Sequence, residues 1–150
     1  MNRNYFLIFL LCEIFISPSL YAQKQRVEKS TSHLVEVGKG YSQTSVNTTV
    51  FRNNSLVTQG DEQYISYYDA DGYLVLGKRK LGTSRWTLQR TPYKGHVADA
   101  HNVISMMIDG DGYLHVAFDH HGNALNYARS VKPHSLSLGE IGRASCRERV

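Results

Sequence analysis

VADAHNVISMMIDGDGYLHVAFDHHGNALNYAR, residues 97–129, contains two alternating apolar segments on either side of Asp109-Gly110-Asp111-Gly112. Alternation with a period of two is the mark of a half-buried strand, and Asp-Gly between two such runs is a hairpin turn. The turn also resembles the start of a calcium loop. The position that would need a bidentate glutamate is His120, so the hairpin reading stands. If residues 103–109 and 113–120 pair, the loop before the first strand and the residues after the second lie at one end. His101 and the pair His120/His121 can then converge on one small volume.

The preceding sequence follows the same pattern. Strands are expected over residues 45–51, 55–58, 63–69, 73–80 and 86–90, with a short one at 34–37. Asn53-Asn54, Gly60-Asp61, Asp69-Ala70-Asp71-Gly72 and residues 81–84 mark turns. Residues 91–102 read as a long polar connection. Beyond the central hairpin come strands at 124–130 and 135–138. No helical period of convincing length appears after residue 22, so the chain is expected to be all-β.

An internal repeat organises these strands. A shift of fifty places Tyr68 on Phe118, Asp69 on Asp119, Gly72 on Gly122, Val75 on Leu125 and Arg79 on Arg129. Four short antiparallel strands per unit at a period of about forty to fifty residues is the signature of a β-propeller blade. About two blades are expected over residues 44–139, with 45–51 a candidate for the strand that closes a ring.

Both ends are expected to stay outside that fold. Residues 1–22 read as a secretory signal peptide: Arg3, a mostly apolar run over 5–16, and Leu20-Tyr21-Ala22 before the cleavage point. The run is too short for a membrane span, and Leu11 before Cys12 is wrong for a lipoprotein signal. Residues 23–43 read as a loosely held extension. Residues 140–150, ending IGRASCRERV, match the translation of a sequencing adapter. They are set aside, with the natural product expected to run on past residue 139. A secreted, monomeric protein without membrane attachment after cleavage is the expectation.

Trimming alters charge and cysteine content. Seventeen basic against thirteen acidic residues give a formal +4, of which residues 141–150 supply a net +2 through Arg143, Arg147 and Arg149 less Glu148. A weakly basic remainder does not argue for nucleic acid, and none is expected as a partner; it is compatible with a polyanionic substrate. Cys12 and Cys146 both fall in the trimmed ends, which leaves no disulfide framework and no thiolate metal site.

His101 is the sharpest candidate for chemistry, because it follows a polar turn and precedes an apolar strand. The plainer alternative is a loop histidine bonded to backbone. His120 and His121 would point to opposite faces, so at most one should face His101. Asp119 either orients a neighbouring imidazole or caps its turn, as Asp69 would. His115 reads as structural. Tyr64, Tyr67, Tyr68 and Tyr73 suit either sugar stacking or core packing. His96, Asp99, His101, Asp119, His120 and His121 include possible zinc ligands, but none has a diagnostic spacing. No metal and no cofactor is assigned.

The segment from about Thr44 to Ser130, most strongly from Asp99 on, resembles the first-blade signature of BNR-4 repeat proteins. These include secreted seven-bladed propeller lyases that cleave ulvan, a sulfated, uronate-containing polysaccharide. The resemblance implies an anionic polysaccharide as partner. It also implies that a histidine of the DAHN element and one of the DHH element line a catalytic cleft, here His101 and His121. Asn102 and His120 are the expected substrate contacts, and later blades would add a tyrosine and an arginine. The roles implied are a proton-transfer base for His101 and carboxylate binding for His121. The alternatives are a glycan-binding propeller without catalysis and a sialidase-like glycoside hydrolase.

Overall fold

The structure, a computed structural model, describes residues 33–48 and 54–143. The expected signal peptide, the part of the expected extension up to residue 32, the end of the strand expected at 45–51 and the last part of the tail lie outside the described residues.

Among the described residues, eight strands form two sheets. In chain order they are β1 (Leu56–Gln59), β2 (Glu62–Tyr68), β3 (Tyr73–Lys80), β4 (Thr87–Lys94), β5 (Ser105–Ile108), β6 (Leu114–Phe118), β7 (Asn126–Arg129) and β8 (Gly142–Arg143). The sheets run β1-β2-β3-β4 and β5-β6-β7-β8, every neighbouring pair antiparallel. Among the described residues there is no helix.

Side-chain alternation explains the burial. Tyr64, Ser66 and Tyr68 of β2 point inward and are buried, as are Leu114, Val116 and Phe118 of β6. β3 lies inside its sheet and buries Leu74, Val75 and Leu76 in succession, which suits covering on both faces. Tyr64, Tyr68, Leu74, Leu76, Leu114, Val116 and Phe118 join Val46, Ile104, Met106 and Leu136 in one core shared by both sheets. Each large apolar side chain in it is worth roughly 1.5–3 kcal/mol relative to exposure.

The sheets meet through their first strands. Asn54, just before β1, forms a parallel bridge to Ser105 at the head of β5, and its side-chain amide donates to the Met106 carbonyl at 2.7 Å. At the other end the Gln59 amide donates to the Asp109 carbonyl at 3.0 Å. β1 and β5 therefore run side by side in the same direction, with each sheet fanning out behind its own inner strand. These are two blades of a β-propeller, and the repeat of fifty residues is their structural equivalence: Tyr68 and Phe118 both end the second strand of a blade.

This topology defines two rims. The β2–β3 turn, the β4–β5 connection and the β6–β7 loop lie at the upper rim; the β1–β2 and β5–β6 turns lie at the lower. The two Asp-X-Asp-Gly turns share one device. Asp69 Oδ1 accepts from the amides of Asp71 and Tyr73, and Asp109 Oδ1 from those of Asp111 and Tyr113. Gly72 and Gly112 supply the left-handed residue, with φ of 80° and 83°.

Several expected strands differ. Residues 34–37 form none; only Gly40 bridges Asp69. Residues 45–48 are a turn closed by the Thr48 amide on the Ser45 carbonyl at 2.8 Å. The Asn47 side chain pairs with the backbone of Tyr68 in both directions at 2.8 Å, doing by side chain what a strand would do by ladder. β4 runs on to Lys94 through Pro92, which an edge strand tolerates because its missing amide has no partner to lose. The fourth strand of the second blade falls at Gly142–Arg143, within the segment set aside by its sequence, rather than at 135–138. That stretch gives only a Ser130–Leu138 bridge and buries Leu136.

Candidate functional site at the upper rim

The β4–β5 connection carries His96, Asp99 and His101 and is fixed from several sides. The Tyr68 hydroxyl, fully buried, donates to the Asn102 carbonyl at 2.9 Å. Burial pushes the pKa of that hydroxyl up, so it stays a donor. The Asp99 amide and the Asn102 side-chain amide both donate to the His96 carbonyl, at 3.0 and 3.1 Å. Thr44 Oγ1 donates to the Val97 carbonyl at 2.6 Å.

The β6–β7 loop supplies the other half. Asp119 is 3% exposed and has φ of 51°, a left-handed conformation that Asp tolerates better than most residues. Its carboxylate accepts the His96 amide at 2.7 Å and lies 3.0 Å from His96 Nδ1. Asp69, its equivalent in the first blade, caps its own turn instead. Asn123 Oδ1 accepts the His121 amide at 2.8 Å, while its Nδ2 donates to the Asp119 carbonyl at 2.7 Å, which shapes the loop that presents His121.

The two halves meet at Asp99. Its Oδ1 accepts the His101 amide at 2.9 Å and lies 2.7 Å from His101 Nδ1; its Oδ2 lies 2.6 Å from His121 Nδ1. The two imidazole centroids are 4.3 Å apart with the ring planes at 31°. The bond from His121, then the His101 amide and ring, hold the Asp99 carboxyl well below the usual carboxylate range. Asp99 is therefore an anion that accepts from both rings. With Nδ1 carrying the proton in each neutral ring, the lone pair falls on Nε2, at the ring edge turned away from Asp99.

Asp99, His101 and His121 each offer one ligand atom within 4.8 Å of the others. Each imidazole nitrogen, however, sits at hydrogen-bond distance from its own carboxylate oxygen. The arrangement fits a hydrogen-bonded clamp rather than three donors facing one central ion.

His101 and His121 come together, as the hairpin led one to expect. His120 does not turn away as strict alternation demands. β6 ends at Phe118, so residues 119–121 are loop, and His120 lines a cavity of about 160 Å³ with His101, Val103, Ser105, Ala117, Phe118 and Leu125. Asn102, expected to touch substrate, is 5% exposed and holds the connection from beneath through its bond to His96. His115 sits on β6 between Tyr127 and Asp109, at 2.6 and 2.9 Å, away from the upper rim. Tyr68, expected to stack on sugar or pack in the core, is buried in the core and in addition braces the site through its hydroxyl. Its place opposite Phe118 in the repeat was visible, but the extra hydroxyl was not assigned a partner.

Comparison with known proteins adds the following. The profile of the BNR repeat-containing family matches residues 62–148, more than half of the chain. Among solved structures, a polysaccharide lyase described as an ulvan lyase, bound to -[GlcA(1-4)Rha3S]-, aligns with a TM-score of 0.55 at 17% identity. The alignment covers 70% of this chain and 28% of that one, so the present chain spans little more than a quarter of the lyase's length. A second ulvan lyase structure gives a TM-score of 0.47 at 18% identity, over 73% and 28% of the two chains. No curated protein matches the chain. At these identities the likeness is one of fold.

Proposed function

The chain belongs to the BNR repeat-containing family, and from that we propose that it carries part of the catalytic site of a secreted, monomeric polysaccharide lyase acting on a uronate-containing polymer of the ulvan type. The observation that carries the reading is the pair of imidazoles at the upper rim, 4.3 Å apart and held through Nδ1 by one carboxylate. The saccharide in the similar lyase structure contains glucuronate, which suits the same substrate class.

β-Elimination from a 4-linked uronate breaks the C5–H and C4–O4 bonds and forms a C4=C5 double bond. A base takes the C5 proton, and an acid returns a proton to the leaving O4. The uronate carboxylate must be neutralised so that C5 becomes acidic enough. His101, with its lone pair on Nε2, suits the proton transfer. His121, half exposed beside it, suits the carboxylate in its protonated form, with Nδ1 on Asp99 and the second proton on Nε2 donated to the uronate. His120 lines the adjoining cavity and would meet the sugar there. The tyrosine and arginine implied by the family resemblance would come from further blades. A hydrolase pair is less apt, because Asp99 and Asp119 are both already engaged by imidazoles.

The test is to express the complete reading frame and incubate it with ulvan and with other polyuronates. The expected result is growing ultraviolet absorbance from the unsaturated uronate, abolished by His101→Ala. New reducing ends without absorbance would mean a hydrolase. Retention on immobilised ulvan without product would mean a binding protein.

A further inference from the structure

Two imidazoles can act at fixed positions only if something fixes them, and both are more than half exposed, with side-chain exposures of 58% and 51%. Packing at that exposure holds rotamers weakly. What the structure places against both rings at once is Asp99.

We propose that Asp99 is the positioning residue of this site: one carboxylate, one oxygen to each ring, sets the orientation and tautomer of both His101 and His121. The proposal rests on the lyase reading for its effect on turnover, but the geometry is independent of it. Asp99 is itself held. Its amide donates to the His96 carbonyl and its own carbonyl accepts the Asn102 amide at 3.1 Å. His96 is in turn tied to the buried Asp119 of the next blade. A carboxylate at this place thus reads the relative position of the two blades and passes it to both rings.

Asn at this position is the informative change, since it keeps shape and removes an acceptor. Its amide oxygen can serve only one ring. Its NH₂ faces the other Nδ1, which must then accept, moving that proton to Nε2. In the full-length protein, Asp99→Asn is expected to lower kcat by about a hundredfold or more while KM changes little. Asp99→Glu, which keeps both oxygens, should recover part of the loss. Imidazole nitrogen NMR shifts should show both rings protonated at Nδ1 in the wild type and one ring switched to Nε2 in Asp99→Asn. Wild-type rings protonated at Nε2 but not at Nδ1, or shifts unmoved by the substitution, would overturn the positioning role even if no uronate is cleaved. Cleavage at the wild-type rate by Asp99→Asn would overturn it while leaving the lyase reading intact. A wild type with the expected shifts but no lyase product would sink the lyase reading alone.

Discussion

Replacing Tyr68 with Phe removes one hydroxyl and nothing else. The ring is fully buried, and Phe118 fills the equivalent place in the second blade, so the site accepts a phenyl ring without repacking. What goes is the 2.9 Å bond to the Asn102 carbonyl. A neutral hydrogen bond is worth about 0.5–1.5 kcal/mol net, and a buried acceptor left unsatisfied costs about 1–3 kcal/mol. The expected loss is therefore about 1–3 kcal/mol. It would be read as a lower urea midpoint at unchanged slope, followed by Trp86 fluorescence. Tyr64→Phe is the control. It removes a hydroxyl that donates to Glu62 at the lower rim and lies 3.3 Å from His134 Nδ1. Both variants should lose stability to a similar extent. Only Tyr68→Phe should also slow turnover, because Asn102 directly follows His101. The reasoning fails if Tyr68→Phe moves neither quantity, or if both variants slow turnover alike.

Further outcomes are expected. Gly95→Ala places a Cβ 2.6 Å from the Tyr68 ring, whose hydroxyl and burial prevent it from yielding; a loss of about 1–3 kcal/mol should appear in the same denaturation assay. Asp119→Asn should weaken the tie to His96 and lower turnover more than it lowers the unfolding midpoint. Acid should destabilise the fold in a defined direction. His115 and the Tyr113 amide lower the Asp109 pKa, and for Glu62 the Tyr64 hydroxyl and Lys78 outweigh the opposing effect of burial. Carboxylates with lowered folded values contribute fully above the ordinary range and lose that contribution as pH falls through the lowered ones. Melting temperature should therefore drop from about pH 5 downward, and Asp109→Asn should flatten the lower part of that curve.

Local pattern carried most of this fold. The alternation in β2 and β6 and the two Asp-X-Asp-Gly turns are written in neighbouring residues, so hairpin and repeat could be read directly. Residues 45–48 could not, because their β-branched composition says nothing of Asn47 standing in for a strand against Tyr68. β8 was hidden for a different reason. Nothing in Gly142–Arg143 reads as strand; it is one because Tyr127 and Asn126 offer an edge. At the site, spacing brought His101 to His121, but not His120 to the same cavity, since alternation ceases where β6 ends. Asp99 was visible only as one candidate ligand among six. Its serving two rings at once is a fact of three dimensions. Asn102 looked available because it neighbours His101, and burial decided otherwise.

An even number of strands in the first blade has a further effect. Four antiparallel passes return the chain to the face it started from, so β5 sets out from the same face as β1. That parity puts the His101 loop on the same side of the molecule as the β2–β3 turn and the end of β2 that carries Tyr68. Losing or gaining a single strand within the first blade would reverse β5 and β6 together. The loop before β5 would then open on the far face from the β2–β3 turn, about the length of a strand away, some 15–25 Å. The Tyr68 brace and the Asn102 carbonyl would no longer share a face, so the connection would lose its anchor. Counting strands modulo two is thus a requirement on any relative that braces its histidine loop from the blade before it.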